Sequence, residues 1–149
     1  MLRLALISAL AALVACAGPR VQTVQFVNKT PRTIEQFFVF PPGAARGASR
    51  GKLAPNGQTT LKLKDGVHEI YAVSARIVHD DNTRETPEAS MTIELRGPLD
   101  IVFYDSNAVP SGIDGPNTRA IKFVMRPPSE PTDDSGPLPE PEPEPAPQP

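Results

Sequence analysis

Few side chains in this sequence are able to do covalent chemistry. Cys16 is the only cysteine, and His68 and His79 are the only imidazoles. A thiol can attack, bind metal or accept a lipid, and histidine is the commonest general base. Cys16 ends an apolar run instead of sitting inside one, which weakens its reading as a packed core thiol. With no second cysteine it has no disulfide partner within the chain. His68 lies just inside a strand-like segment after a turn, and His79 opens the loop His79-Asp80-Asp81-Asn82. Neither accompanies a G-x-S-x-G elbow, so both read as surface histidines at strand ends rather than as bases for a serine. His79-Asp80-Asp81-Asn82 and Asp105-Ser106-Asn107 are rich in oxygen but lack the spacing of a calcium loop. Asp and Asn favour such turns by bonding their own backbone. The residues therefore call for no catalytic group, no metal and no cofactor.

Charge offers a second kind of chemistry. The segment PPGAARGASRGKLAPNG (41–57) sets Arg46, Arg50 and Lys52 among small residues, a candidate loop for an anion or a partner. It lacks the phosphate-cradling glycine pattern, and no helix follows to lend its dipole. The segment SNAVPSGIDGPNT (106–118) is a second long loop. Each has two open readings, a solvated connection or a binding loop carried on a rigid scaffold.

The amino terminus explains Cys16. MLRLALISALAALVAC has one cation, Arg3, then about twelve apolar residues, which is near 18 Å as a helix and too short to span a bilayer core of about 30 Å. A basic start and a short apolar stretch make the plan of a secretory signal peptide. Leu13-Val14-Ala15-Cys16 resembles the lipobox of bacterial lipoproteins. That resemblance implies a signal peptide of residues 1–15, recognised by its peptidase through Leu13, Val14 and Ala15. It implies a diacylglyceryl group on the Cys16 sulfur, a short tether over 16–20 and anchorage in a lipid bilayer. Ala17 is not the aspartate that retains such proteins in the inner membrane, so the resemblance also implies the periplasmic face of an outer membrane.

The rest of the chain must position whatever works there. From Val21 the apolar period is two, broken by Gly, Pro, Asn and Asp. The expected strands are 21–28, 33–40, 59–64, 67–78, 89–96, 99–105 and 118–126, with Asp65-Gly66 as a hairpin turn. In TIEQFFVF (33–40) Ile34, Gln36, Phe38 and Phe40 share one face and Phe37 and Val39 the other. Phe37 and Val39 are thus either core or an apolar surface for a partner. Seven short strands predict an all-β domain over 21–126, a small β-sandwich of Ig-like or transthyretin-like build. The segment APNGQTTLKLKDGVHEIYAVSA is similar to a hairpin found in many periplasmic β-sandwich modules.

Residues 127–149 hold no aromatic and no Lys or Arg, and they end in PLPEPEPEPAPQP. Alternating Glu and Pro removes amide donors and adds self-repulsion, predicting a disordered, extended tail. The tail carries Glu130, Asp133, Asp134, Glu140, Glu142 and Glu144, whereas residues 17–126 have a slight excess of Lys and Arg. That excess is too small for phosphate neutralisation, so nucleic acid is not an expected partner. The organisation is similar to that of small lipoprotein subunits that anchor secretion or envelope machinery, including the transthyretin-like lipoprotein of type VI secretion. It implies a non-catalytic binding or scaffolding subunit with an envelope protein as partner. The alternative is a periplasmic ligand-binding or inhibitor lipoprotein using loops 41–57 and 106–118.

Overall fold

Alternating side chains in short segments between turn formers leave the backbone to pair with other segments, and it does so throughout. The computed structural model describes residues 18–127. The expected signal peptide, Leu13, Val14, Ala15 and Cys16, and the tail beyond residue 127 lie outside the described residues. The described chain is all-β, with strands β1 (Val21–Asn28), β2 (Ile34–Phe40), β3 (Gln58–Lys64), β4 (Gly66–Ser74), β5 (Ile77–Val78), β6 (Arg84–Glu85), β7 (Glu88–Leu95), β8 (Leu99–Asp105) and β9 (Thr118–Phe123). A single 3₁₀ turn, Ser106–Ala108, is the helical exception among these residues.

The strands form a four-stranded sheet in the order β3-β1-β8-β9, a three-stranded sheet in the order β2-β4-β7, and a ribbon of β5 and β6. β1 pairs antiparallel with β3 but parallel with β8, and β8 is parallel to β9. A parallel pair needs a crossover of about a dozen residues. Residues 106–117 supply it. They fold over the outer side of the four-stranded sheet, where Asp114 Oδ1 accepts the Ala120 amide at 2.8 Å. That cover explains why Val102 and Ala120 are buried on a face that alternation turns outward.

The inward sides of the two larger sheets share one core. Phe26 and Phe37, from different sheets, have ring centroids 5.1 Å apart, and Phe103 lies 6.4 Å from each. Phe123 extends the cluster, 6.1 Å from Phe103. Val24, Ile34, Ile70, Leu95, Ile101 and Ile121 fill the space around these rings.

Two expectations about strands need correcting. The segment 67–78 is not one strand, because its neighbour runs out of donors. Ser74 bonds the Pro87 carbonyl at 2.9 Å, and Pro87 has no amide to return. The chain leaves the sheet at Ala75 and pairs Ile77 with Glu85 and Val78 with Arg84 in a separate ribbon. Nor is Asp65-Gly66 a hairpin turn. β3 pairs with β1, whereas β4 pairs with β2 and β7, so the turn carries the chain from one sheet to the other. Gly66 takes φ 131° there, which only glycine adopts without strain.

Strand directions give the domain two ends. β1 starts at Val21 and ends at Asn28, and the parallel β8 and β9 end beside Asn28. The chain therefore enters the fold at one end and leaves it, at Phe123, from the other.

Candidate functional site

The Asn28 end is built around a buried polar network. Asn28 is 0% exposed. Its Nδ2 donates toward the carbonyls of Arg32 (2.7 Å), Leu53 (3.0 Å) and Ala54 (3.2 Å). Its Oδ1 accepts the amide and hydroxyl of Thr30 at 2.9 and 2.8 Å. This Asx turn fixes the β1–β2 connection and aims Arg32 inward. The Arg32 guanidinium grips both carboxylate oxygens of Asp105 in a two-pronged pair, and Nε donates to Ser74 Oγ at 3.0 Å. The Met125 sulfur lies 3.6 Å from Arg32 Nη2. One cation thus joins the ends of β4 and β8 and the residues that follow β9.

The exit of the chain is held beside this network by the β5–β6 ribbon. Arg126 donates its amide to Glu85 Oε1 (3.1 Å), and its guanidinium reaches Thr83 Oγ1 (2.9 Å) and Asp81 Oδ2 (2.6 Å). Glu85 Oε2 also accepts a hydrogen bond from His79 Nε2 at 2.8 Å. Asp81 receives the Thr83 hydroxyl and amide at 2.5 and 2.9 Å. Those bonds, with Arg126 beside them, hold the Asp81 carboxyl well below the usual carboxylate range. A group with a lowered folded pKa contributes stability that is fully present above its ordinary titration range and is lost progressively as pH falls from there through the folded value. Protection of the Thr83 amide from hydrogen exchange is therefore expected to stay constant from pH 7 to about pH 5. It should fall progressively in stronger acid, through and below the range where free aspartate titrates. Asp81→Ala should remove that protection at every pH, a comparison that exchange measured by NMR makes directly.

The three loop cations each have a partner within the chain. Arg46 stacks on Tyr71 with its guanidinium 3.5 Å from the ring centroid. Arg50 Nη2 donates to the Val39 carbonyl at 3.4 Å, and Lys52 pairs with Glu35. Residues 49–53 run back along β2, where Arg50 bonds the Phe37 carbonyl (2.8 Å) and Leu53 exchanges bonds with Ile34 (2.9 and 3.0 Å). Much of what composition marked as a candidate binding loop is the cover of a strand edge.

Phe37 and Val39 are core residues, 0% and 5% exposed, and they form no partner surface. The register of β2 shifts between Ile34 and Gln36. That bulge places Ile34 on the same buried side as Phe37 and leaves Phe38 on the outside. Phe38 lies 6.0 Å from Tyr71, whose phenol is pushed above its ordinary value by burial and by its bond to Glu88. Phe38, Tyr71 and Arg46 are thus the outward aromatic and cationic group of the three-stranded sheet. Sequence alternation set Phe38 opposite Phe37 but left open which of them faces the core, because without the bulge Ile34 shares the parity of Phe38.

His68 Nε2 lies 2.8 Å from the Lys64 carbonyl, and His79 is engaged with Glu85. Neither histidine has a serine among its hydrogen-bond partners. No three His, Cys, Asp or Glu side chains converge on a metal-sized site among the described residues. Loop 41–57 runs along β2 at residues 49–53 and reaches β1 at Asn56 and Gly57, whereas loop 106–118 bonds β9 through Asp114. A cleft of about 720 Å³ follows β7 past the Gly97-Pro98 turn to the start of β9. Comparison with protein-family models, with curated proteins and with solved structures finds no match. Among the described residues no helix is long and apolar enough to cross a membrane.

Proposed function

We propose that this chain is a lipid-anchored envelope protein whose β-domain is a non-catalytic binding or scaffolding unit. In this reading Cys16 is acylated at the periplasmic face of an outer membrane, and the four- and three-stranded sheets are the two layers of a β-sandwich. The observation that supports it is the position of the chain ends. β1 starts only a few residues beyond Cys16, with Arg20 already bonded through its carbonyl to the Asp65 amide at 2.7 Å. The acidic, Pro-rich segment departs from the opposite end, where Arg126 is held by the β5–β6 ribbon. Eight residues of β1 set these ends about 25 Å apart. An extended tail at about 3.1 Å per residue would reach about 70 Å farther from the bilayer. An anchor at one end and a reach segment at the other suit a protein that holds a partner at a distance from a membrane. The ligand-binding alternative has less support, since Arg46, Arg50 and Lys52 of its first loop are each engaged within the chain.

The test has two arms. Cys16→Ser is expected to leave the precursor uncleaved and unlipidated, read from its mass and from loss of detergent-phase partitioning. Normal processing of this variant would overturn the lipoprotein reading. Fluorophores at Val67 and Val124, exposed at opposite ends, should differ in quenching by headgroup-labelled lipid, with the Val67 site the closer. Equal quenching would overturn the orientation.

A further inference from the structure

Every open sheet produces two edges, and unpaired backbone at an edge pairs with whatever strand approaches it. The two larger sheets have four, on β2, β7, β3 and β9. The β2 edge is covered by residues 49–53 through the bonds to Phe37 and Ile34. The β9 edge is capped where Asp114 takes the Ala120 amide and Gly115 bridges Thr118. β3 carries Lys62 and Lys64, charges that discourage pairing. β7 is neither covered nor capped by another segment among the described residues, and the charges it carries are Glu88 and Glu94, the second of them paired with Arg96. Its register against β4 is continuous from Glu88 to Leu95, and its open side has no backbone partner among the described residues. It contains neither proline nor lysine.

The direction of its hydrogen bonds follows from one contact. Ser74 bonds the Pro87 carbonyl, so by antiparallel alternation Ala89, Met91, Ile93 and Leu95 bond β4. Glu88, Ser90, Thr92 and Glu94 then turn their N–H and C=O to the open side. Beside that edge runs the cleft of about 720 Å³, with Met91, Ile93, Leu95, Leu99 and Pro116 among its walls.

We propose that the β7 edge is a docking site for an extended segment of another protein, which adds to the sheet as a strand. The chemistry of that segment follows from the two sides of β7. Its inward residues fall over the Met91, Ile93 and Leu99 side of the cleft, whose rim also carries Arg96 and Arg119, and are aliphatic. Its outward residues lie beside Glu88, Ser90, Thr92 and Glu94, with Glu69 next to Thr92 on β4. Arg96 pairs with Glu94, which leaves this face acidic. The outward residues are therefore lysine or arginine, since opposite charges across a strand pair attract and like charges repel. The acidic tail of this chain would set Glu140, Glu142 and Glu144 near Glu88 and Glu94, so it is not the occupant. A second copy is excluded by direction. β7 runs from the Asn28 end to the Val21 end, and antiparallel pairing of two copies would point their Val21 ends opposite ways. Parallel pairing would bring Glu88 and Glu94 close to their own copies. The exclusion of antiparallel self-pairing rests on the lipid-anchor reading, whereas the edge itself does not.

The probe is an eight-residue peptide alternating valine and lysine, added to the full chain and followed by hydrogen exchange. Exchange at Ser90, Thr92 and Glu94 is expected to slow at least about 10-fold. Thr92→Pro removes an N–H that faces the open side, so it should weaken peptide binding by about 10-fold or more and leave the β4 ladder in place. Should that variant fold poorly, a peptide N-methylated at the amides facing β7 asks the same question of the unaltered chain and should not bind. Three results would overturn the proposal: no protection of β7 at millimolar peptide, equal binding of the N-methylated peptide, or equal binding of a valine–glutamate peptide. A dimer in sedimentation that the valine–lysine peptide dissolves would assign the edge to self-pairing instead. Failure of the anchor would show separately, as normal processing of Cys16→Ser.

Discussion

Asp105→Ala is expected to destabilise the domain by about 3–5 kcal/mol, the cost typical of leaving one charge of a largely buried pair without its partner. The Arg32 and Asp105 side chains are only 17% and 11% exposed. Arg32 would keep its bond to Ser74 and lose both carboxylate oxygens, while the surrounding core closes off water. A domain of this size has a total stability of about 5–15 kcal/mol, so the loss would shift a urea midpoint far toward water. The companion experiment replaces both partners by apolar residues, Arg32→Met with Asp105→Leu. That pair should recover most of the loss, because it removes the stranded charge as well as the interaction. If Asp105→Ala alone unfolds at the unaltered midpoint, the network does not hold the Asn28 end together.

Neighbouring phenylalanines give the second large effect. Phe37→Ala should cost about 3–5 kcal/mol, since its ring is fully buried against Phe26 and Phe103 and its removal leaves a cavity. Phe38→Ala removes a ring of the same size from the outer face, where its ring neighbour is Tyr71. It should cost about 1 kcal/mol or less. Denaturant melts of the two variants read the difference directly. Equal losses would mean that Phe37 is not the inward-facing member of this pair.

These cases show where sequence reasoning reached and where it stopped. Alternation located the long strands, because a half-buried strand must put its apolar residues at every second position; Leu61 and Leu63 against Lys62 and Lys64 is the plainest example. Local pattern could not locate the bulge in β2, since one extra residue is invisible unless the partner strand is known. Turn chemistry at Asp65-Gly66 reported that the chain reverses, and carried no information about which strand each arm would join. The break after Ser74 depends on Pro87, which lies across the sheet. Arg32 and Asp105 are 73 residues apart, too far for any window to join, and each alone reads as an ordinary charge near a turn. The cations of loop 41–57 were legible as exposed. Their engagement with Glu35, Val39 and Tyr71 follows from the path of the loop along β2.

The pairing of β1 with β8 has a consequence for how the chain becomes a folded object. The central contact of the four-stranded sheet joins residues 24–28 to residues 99–103, and β9 joins outside it only after residue 118. Among the longer strands, consecutive ones that pair within one sheet are β4 with β7 and the parallel β8 with β9, each across a connection of about a dozen residues. Closure of the core must therefore wait for long loops to meet, which favours slow folding. A chain delivered amino end first would spend most of its delivery without the strand that completes its first sheet. Its four-stranded sheet, and with it the shared core, could close only when nearly all of the chain had arrived.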